Sequence, residues 1–321
     1  MINLQDIFSK YYDYRPFKIS LLDKIIGNLS KILKPIANAV LPTYFKIVKG
    51  EYIYKKNIRN QNVSDAVICL TSFPKRIKNL WLVMECILRQ SMAVKQVVLY
   101  LSTEQFPNKL EDLPLTLTKY CELFLSIVFV DGDIRSHKKY WYAVRDFSDS
   151  PIIVIDDDLI YPSDFVRLLT NTAHDNKNCV VSLYSHKMLW DNNGNLAPYS
   201  SWLHEGRVKL NTPIEDAFFG SGGGVYYPIG ALKGADQNIN FIMDCCPLAD
   251  DIWQNAIVRL NRFKVISPRF QTSVVDWSNH DNETLSSTNN GKGFNDLQLV
   301  KTIGMCKRLF GQNPFAKDIF T

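Results

Sequence analysis

Between Ile19 and Leu41, apolar side chains recur every three or four positions, at Leu22, Ile25, Ile26, Leu29, Ile32, Leu33, Ile36 and Val40. That period predicts an amphipathic helix, with Lys18, Lys24, Lys31 and Lys34 along its other side. Pro35 predicts a kink or a break, because proline removes a backbone donor and clashes with the preceding turn. Tyr44 to Asn62 is basic, aromatic and polar, and reads as a linker. From there the pattern changes to short apolar runs separated by helical stretches. Ala66–Leu70, Gln96–Leu101, Leu125–Val130, Ile152–Ile155 and Val180–Leu183 predict strands. Leu80–Arg89, Tyr140–Phe147 and Phe165–Ala173 predict helices between them. Such alternation predicts an α/β fold with a mostly parallel central sheet flanked by helices. Beyond Leu183 the pattern is less regular, with a turn at Asp191–Asn195, a Gly-rich stretch at Gly220–Gly224, and helices at Ala249–Leu260 and Phe294–Phe310. The chain therefore divides into a basic helical extension with a linker (1–62), an α/β half (63–183) and a second half of the same domain (184–321).

Charge sharpens that division. The formal net charge is +5, from 37 Lys/Arg and 32 Asp/Glu. Residues 1–60 hold 11 Lys/Arg and 4 Asp/Glu, so the remainder has 26 and 28, a balance of −2. A basic groove through the body is excluded, and with it a nucleic-acid partner. The basic stripe of residues 19–41 suits contact with an anionic membrane surface, or packing on the body, or packing on a second subunit in a homo-oligomer. The seven cysteines form no C-x-x-C pair and mostly sit in apolar runs, which predicts reduced thiols in a cytoplasmic protein. Residues 1–10 lack a signal-peptide pattern, and no apolar run reaches the roughly 18–20 residues that span a bilayer.

The strongest chemical signal is PIIVIDDDLIYP, where the buried-type run Ile152–Ile155 ends in Asp156, Asp157 and Asp158. Adjacent carboxylates repel one another and are costly to bury unpaired, so a strand that ends this way calls for a cation. Open parallel sheets bind ligands beyond the carboxyl ends of their strands, and hard oxygen donors there suit Mg²⁺ or Mn²⁺ shared with a phosphorylated ligand. A solvated acidic turn is the plainer alternative. The first strand ends at Thr71-Ser72 with Lys75 and Arg76 behind it, and the third at Asp131-Gly132-Asp133 with Lys138 and Lys139 behind it. These groups fall on the same sheet edge and form a place for a diphosphate, with Asp131 or Asp133 available to a base or ribose. Gly222 and Gly223 belong to a loop that matches neither the dinucleotide nor the P-loop spacing. Its glycines serve either close approach to a ligand or turns with positive φ. Asp250-Asp251 opens a helix, where acids complement the helix dipole or supply a general base. His280, in a polar loop, is either a surface residue or a metal or phosphate partner.

In this order, LTSFPKRI, VVLYLSTEQFP, IVIDDDLIYP, FGSGGGVYYP, CPLADDIW and GFNDLQ resemble the nucleotide-sugar glycosyltransferases of GT-A type found in bacterial capsule and lipopolysaccharide gene clusters. The resemblance spans roughly Val63 to Leu309. It implies a GT-A, Rossmann-like fold, with residues 63–183 holding a nucleotide-sugar donor, UDP-linked, and 184–321 holding acceptor and catalytic groups. Asp156 and Asp158 match the D-x-D positions, Asp156 for the sugar nucleotide and Asp158 for Mn²⁺ or Mg²⁺, with Asp157 in the variable place. Thr71 and Asp131 or Asp133 match nucleoside positions. Asp251 or Asp250 matches the base of inverting members, and His280 a late metal ligand. The acceptor implied is a glycan or a polyprenyl-linked saccharide, at the inner face of the cell membrane. Two rivals stand beside this. One is a metal-dependent phosphohydrolase or phosphotransferase, whose D-x-D-x-[TV] form is not met because Ile160 stands at the last place. The other is a catalytically inactive glycan-binding scaffold.

Overall fold

The computed structural model describes residues 3–11, 35–203, 211–268, 275–276 and 293–320. A seven-stranded sheet organises them: β1 (Val67–Thr71), β2 (Val97–Ser102), β3 (Leu125–Val130), β4 (Ile152–Val154), β5 (Cys179–Ser182), β6 (Val225–Tyr227) and β7 (Lys264–Ile266). Its order is β7-β5-β6-β4-β1-β2-β3. β3, β2, β1 and β4 run parallel, and β7 runs parallel to β5. Only β6 is antiparallel to its neighbours in this sheet, β4 and β5. This is the mixed α/β architecture with a mostly parallel sheet that the alternating pattern predicts. β2 reads VVLYLS and is buried at every position, as a strand covered on both faces must be.

Helices cover both faces. α1 (Leu4–Tyr11), a helix over 35–47 (α2) and α3 (Glu51–Arg59) precede the sheet. α4 (Trp81–Leu88), α5 (Lys138–Asp146) and α6 (Phe165–Asp175) link the parallel strands. α7 (Ile239–Cys245), α8 (Asp250–Leu260) and α9 (Phe294–Phe310) complete the second half. α6 buries Phe165, Val166, Leu169, Thr170 and Ala173, a spacing that puts them on one helical face. One apolar cluster lies between the sheet and α4 and α6, and another between the sheet and α5, α8 and α9.

Two expectations are corrected. The stretch read as a linker, Tyr44–Asn62, is largely helical, in the end of α2 and in α3. Its mixed polarity comes from helices that bury only one side, with Tyr54 the buried residue of α3. The second half is more regular than its pattern suggests. β6 and β7 are only three residues each, below the length at which a run of apolar residues stands out, and Ser185–Lys187 pairs antiparallel with Ala217–Phe219. The described part of the N-terminal extension packs on the body: Phe8, Ala37, Leu41 and Phe45 meet Leu82, Cys86 and Ile160. Asp6 accepts hydrogen bonds from the Ser163 backbone N–H (2.7 Å) and hydroxyl (2.6 Å). Residues 12–34 of the predicted amphipathic helix lie outside the described residues, and the described helix α2 begins at Pro35. All seven thiols are free, six of them buried.

Candidate active site

The Asp triplet lies beyond the end of β4. Ile155 N–H still pairs with the Cys69 carbonyl at 3.1 Å, so the acidic residues follow directly on the last sheet hydrogen bond. Two cations meet them, Lys139 buried and Arg76 partly so. Arg76, one turn after β1, reaches Asp157 at 3.0 Å and Asp158 at 2.7 Å. Ser72 Oγ donates to Asp157 at 2.6 Å. Asp157 is the buried member, and desolvation pushes its carboxyl above the usual range despite Arg76 and Ser72. Lys139, on the first turn of α5, reaches Asp156 at 2.7 Å and Asp250 at 3.1 Å, and is 3% exposed. Burial alone would discharge such an ammonium, but the two carboxylates outweigh it and raise its pKa.

Lys139 therefore joins the strand end to the start of α8. Asp250 also accepts from Ser221 Oγ (3.0 Å) and Gln254 Nε2 (2.7 Å). Although burial opposes it, Lys139 holds the Asp250 carboxyl below its ordinary value. For Asp251, partly buried, Lys139 acts more weakly than burial and Asp250 do. Desolvation, then repulsion from Asp250, push its carboxyl up to about 7. Two neighbouring carboxylates are thus driven apart in acidity, one fixed as an anion and the other set to exchange a proton near neutrality.

The Gly-rich loop closes over the triplet. The Asp156 backbone N–H donates to the Tyr161 hydroxyl (2.9 Å), which donates to the Gly222 carbonyl (3.0 Å). A Cβ on Gly222 would lie 2.3 Å from Asp156 Oδ2, and one on Gly223 would lie 2.9 Å from the Tyr184 Cβ. Gly224 has φ +94°, and a Cβ there would lie 2.3 Å from Phe165. Gly224 permits positive φ, the second of the two expected uses, while Gly222 and Gly223 allow close approach of protein side chains.

The structure does not bring every predicted site residue into this cluster. Asp133 and Lys138 pair with each other, and Asp133 also accepts from Gln105 at 2.8 Å. Burial lowers the Lys138 pKa, though Asp133 opposes it. Asp131, exposed, accepts from Thr103 at 3.2 Å. Thr71 donates to the Tyr100 carbonyl at 2.8 Å. His280 lies outside the described residues. Among the described residues, no group of three or more His, Cys, Asp or Glu side chains is arranged to hold a metal ion. The sequence reading missed Ser221, Gln254, Tyr161 and His137. Gln254 is four residues after Asp250, a helical spacing that could have pointed to it. His137 is fully buried and kept neutral by desolvation; its ring bonds Tyr140 (2.7 Å) and the Cys246 carbonyl (2.9 Å), tying the start of α5 to the loop before Asp250. No local pattern marks that long-range contact.

No family model matches the chain, and no curated protein matches its sequence. Among solved structures the chain is similar to TarS 1–349 from S. aureus in complex with UDP. The two are 14% identical, the TM-score is 0.45, and the match covers 80% of this chain and 69% of that chain. No helix among the described residues is long and apolar enough to cross a membrane.

Proposed function

We propose that this chain is a metal-dependent glycosyltransferase that moves a sugar from a nucleotide-sugar donor, UDP-linked, to a glycan or polyprenyl-linked saccharide in surface polysaccharide synthesis. The observation that carries the reading is the cluster at the end of β4, where Arg76 pairs with Asp157 and Asp158 and Lys139 joins Asp156 to Asp250, next to Asp251. One side of it has the charge pattern for a diphosphate with a cation, and the other has a carboxylate of near-neutral pKa. The phosphohydrolase and the inactive scaffold have no observation of their own in their favour.

The donor set fits a divalent ion in type: Asp156 and Asp158 offer hard oxygens at the strand end, already facing the cationic groups of Lys139 and Arg76. With only carboxylates from one strand end, Mn²⁺ or Mg²⁺ would be held by Asp158 and Asp156 and shared with the diphosphate. When bound, the ion neutralises charge on the nucleoside diphosphate leaving group. Arg76 and Lys139 add fixed positive charge beside that group, in surroundings dry enough to strengthen it. Asp251 takes the proton from the acceptor hydroxyl as it attacks the anomeric carbon, which makes the reaction inverting. Asp250, buried and paired with Lys139, keeps Asp251 basic and is not itself the base. Ser72 and the Gly222 loop hold the carboxylates in place. Thr71, Asp131, Asp133 and Lys138, which lie outside that cluster, would serve the nucleoside, and His280 would be an added metal ligand. A cytoplasmic enzyme at the inner membrane face fits a lipid-linked acceptor.

A thermal-shift panel of nucleotide sugars, each with and without Mn²⁺, tests the reading. A saturating donor should raise Tm by a few degrees, and only with the metal present. No shift with any donor would contradict it.

A further inference from the structure

Two N-terminal helices carry a face that the body does not use. α2 buries Ala37, Leu41 and Phe45, at four-residue spacing, against Leu82, Cys86 and Ile160. On another side Ile36, Val40 and Ile47 are 43%, 38% and 75% exposed. In α3, Tyr54 points inward, its ring 5.4 Å from that of Phe124. Tyr52, Lys55, Lys56 and Arg59 fall at i, i+3, i+4 and i+7, a single helical face, and all are exposed, Tyr52 by 73%. Both helices rest on the α4 side of the sheet. Arg89, just past α4, donates to the Val48 and Phe45 carbonyls and lies 4.4 Å over the Phe45 ring. A Cβ on Gly50 would lie 2.8 Å from the Arg89 guanidinium, so the turn between α2 and α3 is pressed onto α4. On each helix the exposed side chains therefore lie on a face other than the one packed on the body.

The charge on this segment is one-sided. Residues 35–60 contain Lys46, Lys49, Lys55, Lys56 and Arg59 but only one acid, Glu51, which pairs with Lys55 at 2.6 Å. The body from residue 61 onward carries a slight negative balance, so these cations do not answer a net charge on the rest of the chain.

We propose that the exposed face of α2 and α3, with Ile36, Val40, Ile47 and Tyr52 among Lys49, Lys55, Lys56 and Arg59, docks flat on an anionic lipid bilayer. Aliphatic side chains enter the boundary between headgroups and acyl chains, a tyrosine ring sits at that depth with its hydroxyl toward water, and lysines meet anionic headgroups. A second copy of the chain is the poorer occupant, because five cations on each copy would oppose one another. The surface is independent of the reaction proposed above. It overlaps the predicted amphipathic helix of residues 19–41 only at Ile36 and Val40, and rests otherwise on residues 47–59.

Co-sedimentation of the full chain tests it, with vesicles of phosphatidylcholine alone and of phosphatidylcholine mixed with phosphatidylglycerol. The chain should bind the mixed vesicles, bind neutral ones weakly, and lose binding as salt rises. K55E/K56E should lower partitioning onto mixed vesicles by roughly tenfold or more. I47D/Y52D should lower it on a different ground, loss of inserted apolar surface. All four side chains are exposed, so Tm and circular dichroism should stay as in the wild type, which separates lost docking from lost folding. Binding by both variants equal to that of the wild type would overturn the proposal. So would a lack of binding to mixed vesicles. A wild-type dimer that I47D/Y52D converts to monomer, with no vesicle binding, would also overturn it and make a second copy the occupant.

Discussion

Asp250 and Asp251 are adjacent in sequence and chemically opposite. Lys139 at 3.1 Å, Ser221 and Gln254 hold Asp250 as an anion, whereas Asp251 is pushed to about 7 by desolvation and by its neighbour. Two consequences are measurable. If Asp251 is the base, kcat/KM should rise with pH through about 7 and level off above it. D251N should lower kcat by about 10²–10⁴-fold and remove that acidic limb. A limb unchanged in D251N would assign it to another group. The same shift predicts a stability effect. The folded chain keeps the Asp251 proton up to about pH 7, while the unfolded chain releases it near the ordinary value of 3.8. The contribution is therefore fully present below pH 3.8 and is lost as pH rises toward about 7. Denaturant unfolding of wild type and D251N across that interval should show the wild type losing stability relative to the variant as pH rises.

At the scale of elements, the Gly220–Gly224 turn connects the acidic strand end to the start of α8. Gly224 adopts φ +94° against Phe165, and Gly222 leaves no room for a Cβ beside Asp156. G224A should cost about 1–3 kcal/mol by denaturant titration, from backbone strain and overpacking. G222A should displace Asp156 and lower activity more than stability. A G222A variant with full activity would show that the Asp156 position is not critical. The parallel strands and their helices were legible because each lies in a run of four or more largely apolar residues or a clean helical period. β6 and β7 were not, because three residues carry no period, and their pairing with β4 and β5 is long-range. The linker reading differs for a related reason: α3 has one buried residue, Tyr54, and its apolar residues, Tyr52, Ile53, Tyr54 and Ile58, mark no long apolar stripe. The candidate site was legible as a set of residue types at strand ends. Which carboxylate meets which cation was not, since Lys139 bridges residues 156 and 250 through tertiary contact alone.

At the scale of the whole molecule, the sheet order places the acidic end of β4 at the middle of the sheet, between β1 and β6. Arg76 arrives from the β1 side, and the Gly-rich loop arrives on the other side just before β6. Both halves of the chain therefore contribute to one crevice, and the antiparallel β6 is what brings the second half back to it. The N-terminal helices lie on the α4 side, apart from the crevice residues named above, which is why their surface is tested separately from the chemistry. The central claim is that this crevice transfers sugar from a nucleotide. Its most direct test is mass spectrometry of reactions with UDP-sugars, Mn²⁺ and glycan or polyprenyl-linked acceptors, comparing wild type with D158N. The account predicts a product heavier by one sugar residue together with released nucleoside diphosphate, both lost in D158N. Release of inorganic phosphate without sugar transfer, or a product formed equally by D158N, would contradict it.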